Sequence, residues 1–220
     1  MALNTNGILT DPSRGAEPSD WEHSTVTPVV TFTWHHTIPW NCLAAVWNGL
    51  VAGQHWAAVE TFLRLVSAQD PAGAVRQIRS GTLMDRDRLH TQLTWQGWNI
   101  VEGPGGDFRE GDPGEGYDKW SIQGLSNNQR STVQAVDQLY MAMRPLAARP
   151  PRPGFATNVP NLSANEAKAV EKAMAQQMAA LRGKPPMLWN PDAWEVVREG
   201  QADRKLPSLW RTPPIWRKRA

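Results

Sequence analysis

The sequence predicts an α+β protein, mostly helical, with a small core made of a β-hairpin plus a helix and a long helical insertion. Three observations predict it. Apolar residues recur at helical spacing in separate stretches such as 43–51, 56–66, 133–143 and 170–181. Only the stretches around 26–34 and 93–101 read as strands of that core. Eighteen prolines and seventeen glycines in 220 residues imply long irregular connections between these elements.

In chain order, residues 1–24 are rich in Asn, Thr, Gly, Pro, Ser and acid without periodicity, and read as a flexible or loosely docked leader. A strand follows over 26–34, with Val30, Phe32 and Trp34 on one face and Thr31, Thr33 and His35 on the other. Pro39 ends any regular ladder. Leu43, Val46, Trp47, Leu50 and Val51 then form an apolar helical stripe, with Asn41 the expected N-cap and Gly53 the expected stop. A second helix over 55–67 carries Trp56, Val59, Phe62, Leu63 and Val66, and a third starts at Pro71 with Val75 and Ile78 inward. These helices form an insertion over 41–93, a cover for the end of the first strand. Leu93–Val101 reads as the second strand or an irregular hairpin arm, and the Gly- and Pro-rich stretch 102–116 as a loop.

Ser126 with Gln129 marks the start of a helix running to about residue 143, which closes a candidate catalytic domain over 25–145. The prolines of 146–162 make an extended connector. The remainder, 163–220, is expected to hold a helix from the Ser163–Glu166 capping box to Leu181, a short helix over 192–199, and a basic tail. In that tail Arg211, Arg217, Lys218 and Arg219 alternate with Trp210 and Trp216, a composition suited to tracking phosphates and stacking on bases. Tryptophans that dock back on the domain fit the same composition equally well.

Composition narrows the function classes. A net charge of +2 is too mild to imply nucleic acid by itself. A single cysteine, Cys42, rules out an intramolecular disulfide framework and a Cys-based zinc site. No apolar run approaches the ~20 residues that span a bilayer, and the N-terminus lacks a secretory signal pattern. Synthesis and folding in the cytoplasm is therefore the expectation, with export by a route that needs no signal peptide left open. Twelve tryptophans mostly serve packing.

The dipeptide His35-His36, where the first strand ends, is the best candidate for chemistry, because a neutral imidazole can serve as base or metal ligand near pH 7. His55 and His90 are isolated and read as structural. Adjacent residues on a regular strand point to opposite faces, so the two rings share a site only if the chain kinks after His35.

Trp34-His35-His36-x-Ile38-Pro39 resembles the signature of the HNH/endonuclease VII superfamily, the ββα-metal or His-Me finger nucleases. The nearest likeness is to bacterial polymorphic-toxin nucleases whose subfamilies are named for a residue preceding a His-His pair (AHH, GHH, WHH). The resemblance implies that the core takes the ββα-metal form, that His35 is a metal ligand, and that His36 is a general base held by a backbone carbonyl. It implies further that Asn99 completes the metal site or orients the base. The chain has no His-x-x-x-His pair on a later helix, so further ligands would be Asp107 and Asp112, with Glu102, Asp118, Asn127 and Asn128 weaker candidates. Arg109 and Lys119 could clamp a phosphate. Oxygen-rich ligation suits Mg²⁺ or Mn²⁺ better than Zn²⁺. The function so implied is metal-dependent hydrolysis of DNA or RNA by an antibacterial toxin, with a cognate immunity protein as partner. The competing reading is a non-catalytic module, such as a secretion adaptor or phage or virion component, that binds protein or nucleic acid through Trp-rich and basic surfaces. A thiol hydrolase built on Cys42 and His36 carries little weight, since nothing marks the thiol as activated.

Overall fold

Five of the six α-helices among the described residues follow the helical periodicities in the computed structural model, which describes residues 3–10, 13–25, 30–110, 127–156, 158–189, 194–202, 204, 210–212 and 214–218. The fold is α+β and mostly helical, as the sequence predicts. Strand β1 (Phe32–His36) leads into α1 (Trp40–Ala52), α2 (Trp56–Leu65), α3 (Pro71–Ser80) and α4 (Arg86–Thr94) before β2 (Ile100–Pro104) returns to pair with it. Helices α5 (Asn127–Ala147) and α6 (Ala164–Leu181) follow, then the short strands β3 (Trp194–Arg198), β4 (Gln201–Ala202), β5 (Trp210–Thr212) and β6 (Ile215–Lys218).

Helix α1 is the centre of the core. Leu43, Val46, Trp47, Leu50 and Val51 are all buried, and its neighbours α2 and α5 supply Phe62, Leu63, Val136, Leu139 and Met143 to the same cluster. Pro39, not Asn41, stands at its cap position, and Gly53 follows its last turn. At the start of α3, Asp70 accepts a hydrogen bond from the Gly73 amide at 2.8 Å, while Gly81 ends the helix in the left-handed region at φ 70°. The Ser163–Glu166 capping box forms as its spacing dictates. Its helix, α6, buries Val170, Met174 and Leu181 against α5 and α2.

Several expectations differ from the structure. The segment read as a flexible leader inserts Leu3 and Leu9 into the core, each 1% exposed. Asn48 of α1 holds it there, accepting from the Leu9 amide at 2.8 Å and donating to the Leu9 carbonyl at 2.9 Å. The second strand lies over Ile100–Pro104, not Leu93–Val101, because β1 recruits the residues that can pair with it. Glu102, placed in a loop by its Gly and Pro neighbours, is therefore a buried strand residue. The short helix expected over 192–199 is strand β3, where β-branched Val196 pairs with Trp216 of β6 and Val197 stands at a bulge before Arg198. The capping residue Ser126 lies outside the described residues.

Candidate functional site

The β1–β2 ribbon is antiparallel, with Phe32 opposite Pro104, Trp34 opposite Glu102, His35 opposite Val101 and His36 opposite Ile100. Alternation along the strand fixes two faces. Phe32, Trp34 and His36 share one with Glu102, while His35 shares the other with Val101. The strand stays regular through His36, so the kink needed to aim both rings at one ion does not occur.

His36 is 7% exposed and lies among aromatic rings, with Trp95 at 5.3 Å and Trp40 at 6.4 Å between centroids. Its Nε2 sits 2.9 Å from the carbonyl oxygen of Thr94, the last residue of α4, and must carry the proton to bond there. The lone pair is thereby placed on Nδ1, which is buried without a hydrogen-bond partner among the described residues. Burial pushes the pKa down to about 4. The Thr94 carbonyl pushes the other way, and the Arg14 charge adds to the lowering. His36 is thus a neutral imidazole at physiological pH, in one tautomer, held by a backbone carbonyl. No side-chain pattern announces a backbone carbonyl, so the sequence carried no signal for Thr94.

Asn99 ends the turn that precedes β2 and is fully buried. Its Oδ1 accepts from the Ile38 amide at 2.6 Å, its Nδ2 donates to the Ile38 carbonyl at 3.0 Å, and its own carbonyl accepts from the Thr37 amide at 2.8 Å. Every one of these bonds ties the β1–α1 turn to β2. The amide positions the chain just after His36, and both its ends are already committed to backbone.

On the opposite face Arg109 Nη1 lies 3.0 Å from each ring nitrogen of His35. A guanidinium can only donate, so His35 accepts from it, and the lone pair expected to hold a metal is used. The adjacent positive charge also opposes a second cation. Arg109 is itself held by the tail: its segment bridges to Trp216, with the Glu110 amide donating to the Trp216 carbonyl at 2.8 Å. Asp107 is exposed on the turn after β2, and Asp112 lies outside the described residues. Among the described residues no three His, Cys, Asp or Glu side chains converge where one ion could bind them. Of the described residues assigned to a divalent ion, His35 and Asn99 are each engaged elsewhere, His35 by Arg109 and Asn99 by the Ile38 backbone.

The basic tail is likewise committed in part. Arg217 forms hydrogen bonds to Glu195, with Nε at 2.7 Å from Oε1, and lies 3.6 Å from Glu110, which together raise its pKa. Trp216 is half-buried and packs edge-to-face on Trp189 at 6.0 Å, docked back on the domain. Arg211 and Lys218 stand on β5 and β6, and Arg219 lies outside the described residues. A cavity of about 580 Å³ elsewhere, lined by Trp56, Arg79 and Phe155 among others, contains none of the predicted site residues.

One feature of the site has no counterpart in the expectations. Residues 13–25 run across the Trp34–His36 face of the ribbon. The Gly15 amide donates to Thr94 Oγ1 at 3.1 Å and its carbonyl accepts from Trp95 Nε1 at 2.7 Å. Trp21 packs edge-to-face on Trp34 and Trp95, and His23 stacks on Trp34 at 4.8 Å. Ser24 donates from both its amide and its hydroxyl to the buried Glu102 carboxyl, which also accepts from the Trp189 amide at 2.8 Å. Glu102, considered only as a metal donor, anchors this segment. The chain matches no protein-family model, no curated protein and no solved structure.

Proposed function

We propose that this chain is a hydrolase of phosphodiester bonds, with nucleic acid as its substrate class and His36 as its general base. The observation that carries the reading is the His36 tautomer. Nε2 is bound to the Thr94 carbonyl, and the basic lone pair of a neutral ring is left uncommitted on Nδ1. The Trp34-His35-His36-x-Ile38-Pro39 signature supports the substrate class, as does the order of strand, antiparallel partner strand and helix in β1, β2 and α5. In the reaction, Nδ1 takes a proton from water, the resulting hydroxide attacks phosphorus, and the ester oxygen leaves with the bonding pair and is then protonated. No step is routed through a metal, because His35 and Asn99, two of the expected ligands, are engaged elsewhere among the described residues. The proposed setting is an antibacterial effector restrained by an immunity protein.

The test is cleavage of plasmid and of RNA by purified protein with Mg²⁺ or Mn²⁺ and with EDTA. His36→Ala is expected to slow cleavage by about 100-fold or more while the circular dichroism spectrum is retained. Cutting by His36→Ala at the wild-type rate removes the base assignment, and loss of cutting in EDTA would show that a divalent ion takes part as well. A second reading, a non-catalytic interaction module, draws on Val196 and Val197, which are 47% and 45% exposed on β3. Plasmid that is bound but left uncut under every divalent ion would favour it.

A further inference from the structure

We propose that residues 13–25 are a strap closed over the His36 end of the ribbon, and that the His36 ring becomes reachable only when this strap lifts. The inference rests on the reading of His36 as a base only where it calls the lifted form active; the closure itself is a statement about access.

Three observations carry it. First, the strap is attached without being part of the core. None of residues 13–25 is fully buried, whereas Leu3 and Leu9 just before them are. Its attachments among the described residues include Ser13, whose carbonyl lies 3.0 Å from His90 Nε2, Gly15, the Trp21 and His23 rings, His23 Nδ1 at 3.5 Å from Glu102, and Ser24. A segment with no buried apolar side chain belongs to the low-stability end of a protein. Second, the groups beneath it are incompletely satisfied. His36 Nδ1, an acceptor, and Trp34 Nε1, a donor, lie on the covered face, buried and without a hydrogen-bond partner among the described residues. Buried polar atoms almost always find one, so this face is better served by solvent or a polar ligand than by the strap. Third, the attachment has a defined latch. Glu102 is wholly buried, accepts from Ser24 twice and has His23 Nδ1 at 3.5 Å, so lifting the strap leaves it the Trp189 amide and bares the carboxyl.

The test is carbethoxylation of histidine by diethyl pyrocarbonate, which attacks an unprotonated ring nitrogen, read residue by residue by mass spectrometry on the full chain. His55, bonded to the Leu162 carbonyl away from the strap, is the internal reference. Ser24→Ala removes one latch bond to the carboxyl and is expected to raise His36 modification about tenfold relative to His55. Gly15→Val forces the strap off, since a Cβ there would meet the Thr91 backbone at 2.7 Å, and is expected to raise it further. Unchanged His36 reactivity in both folded variants overturns the proposal. Should either variant fail to fold, hydrogen exchange on the wild-type protein decides. The Gly15 and Ser24 amides are expected to exchange well before the Leu43–Leu50 amides of α1, and exchange of all of them together only by global unfolding overturns it. Neither readout uses a substrate, so the strap can stand while the nuclease reading fails. If both hold, plasmid cleavage rises with His36 reactivity.

Discussion

At the scale of single residues, two buried polar side chains determine how the end of β1 behaves. His36 is held neutral by burial, with its pKa near 4 in the folded protein against about 6.5 in the unfolded chain. Between those values the unfolded chain binds the extra proton, so stability must rise with pH across that window. The folded protein is expected to lose about 2 kcal/mol between pH 7 and pH 5 through this residue alone. Urea unfolding at the two pH values checks it, with His36→Phe, which cannot titrate, expected to be less pH-sensitive by that amount. Asn99 works through geometry: its amide joins the Ile38 N–H and C=O to β2 in the dry interior. Asn99→Ala leaves both backbone groups unpaired and should cost about 2–4 kcal/mol by urea unfolding. A loss under 1 kcal/mol would mean that the turn finds other partners.

Among the elements, α1 and α6 illustrate opposite ways of being specified. The N-terminus of α6 is set by local chemistry, since Ser163 and Glu166 satisfy each other's backbone amides and Arg149 reaches the same carboxyl. These contacts hold the Glu166 pKa down to about 2, the Ser163 bonds contributing most, so the cap keeps its charge until strongly acid pH. Ser163→Ala should destabilise the protein by about 1 kcal/mol, read as a lower midpoint in thermal melting. The course of α1 is set by its surroundings. A Cβ on Gly49 would meet Leu162 and Pro160 of the connector at 2.9 Å, so the connector crosses this helix at its one glycine. Gly49→Val should cost about 1–3 kcal/mol through that overlap, and an unchanged melting temperature would show that the connector yields freely.

For the whole molecule, the segments before and after the helical body do more than their compositions suggest. The N-terminal stretch supplies Leu3 and Leu9 to the core and then crosses the ribbon, and the tail returns through β6 to hold Arg109 against His35. Leu9→Ala should therefore cost about 2–5 kcal/mol in chemical denaturation, a core-sized loss from a region with no periodicity of its own. A value below 1 kcal/mol would indicate that the N-terminal segment docks without contributing to stability.

Helical character, the placing of α3 behind Asp70 and Pro71, the capping box of α6 and the position of the His-His pair at a strand end were all written in local sequence, because each rests on groups within a few residues of one another. What the local sequence could not say depended on partners distant in the chain. The 100–104 stretch is a strand because β1 is there to pair with it, and 194–198 is one because β6 is. The site shows the same division. The residue types at positions 35, 36 and 99 were legible as chemistry, but their orientations were not. Tertiary structure alone turned His35 towards Arg109, gave His36 the Thr94 carbonyl, spent the Asn99 amide on Ile38 and drew residues 13–25 across the face. A side chain's type is local; the atom that takes its hydrogen bond lies dozens of residues away and is found only when the chain has folded.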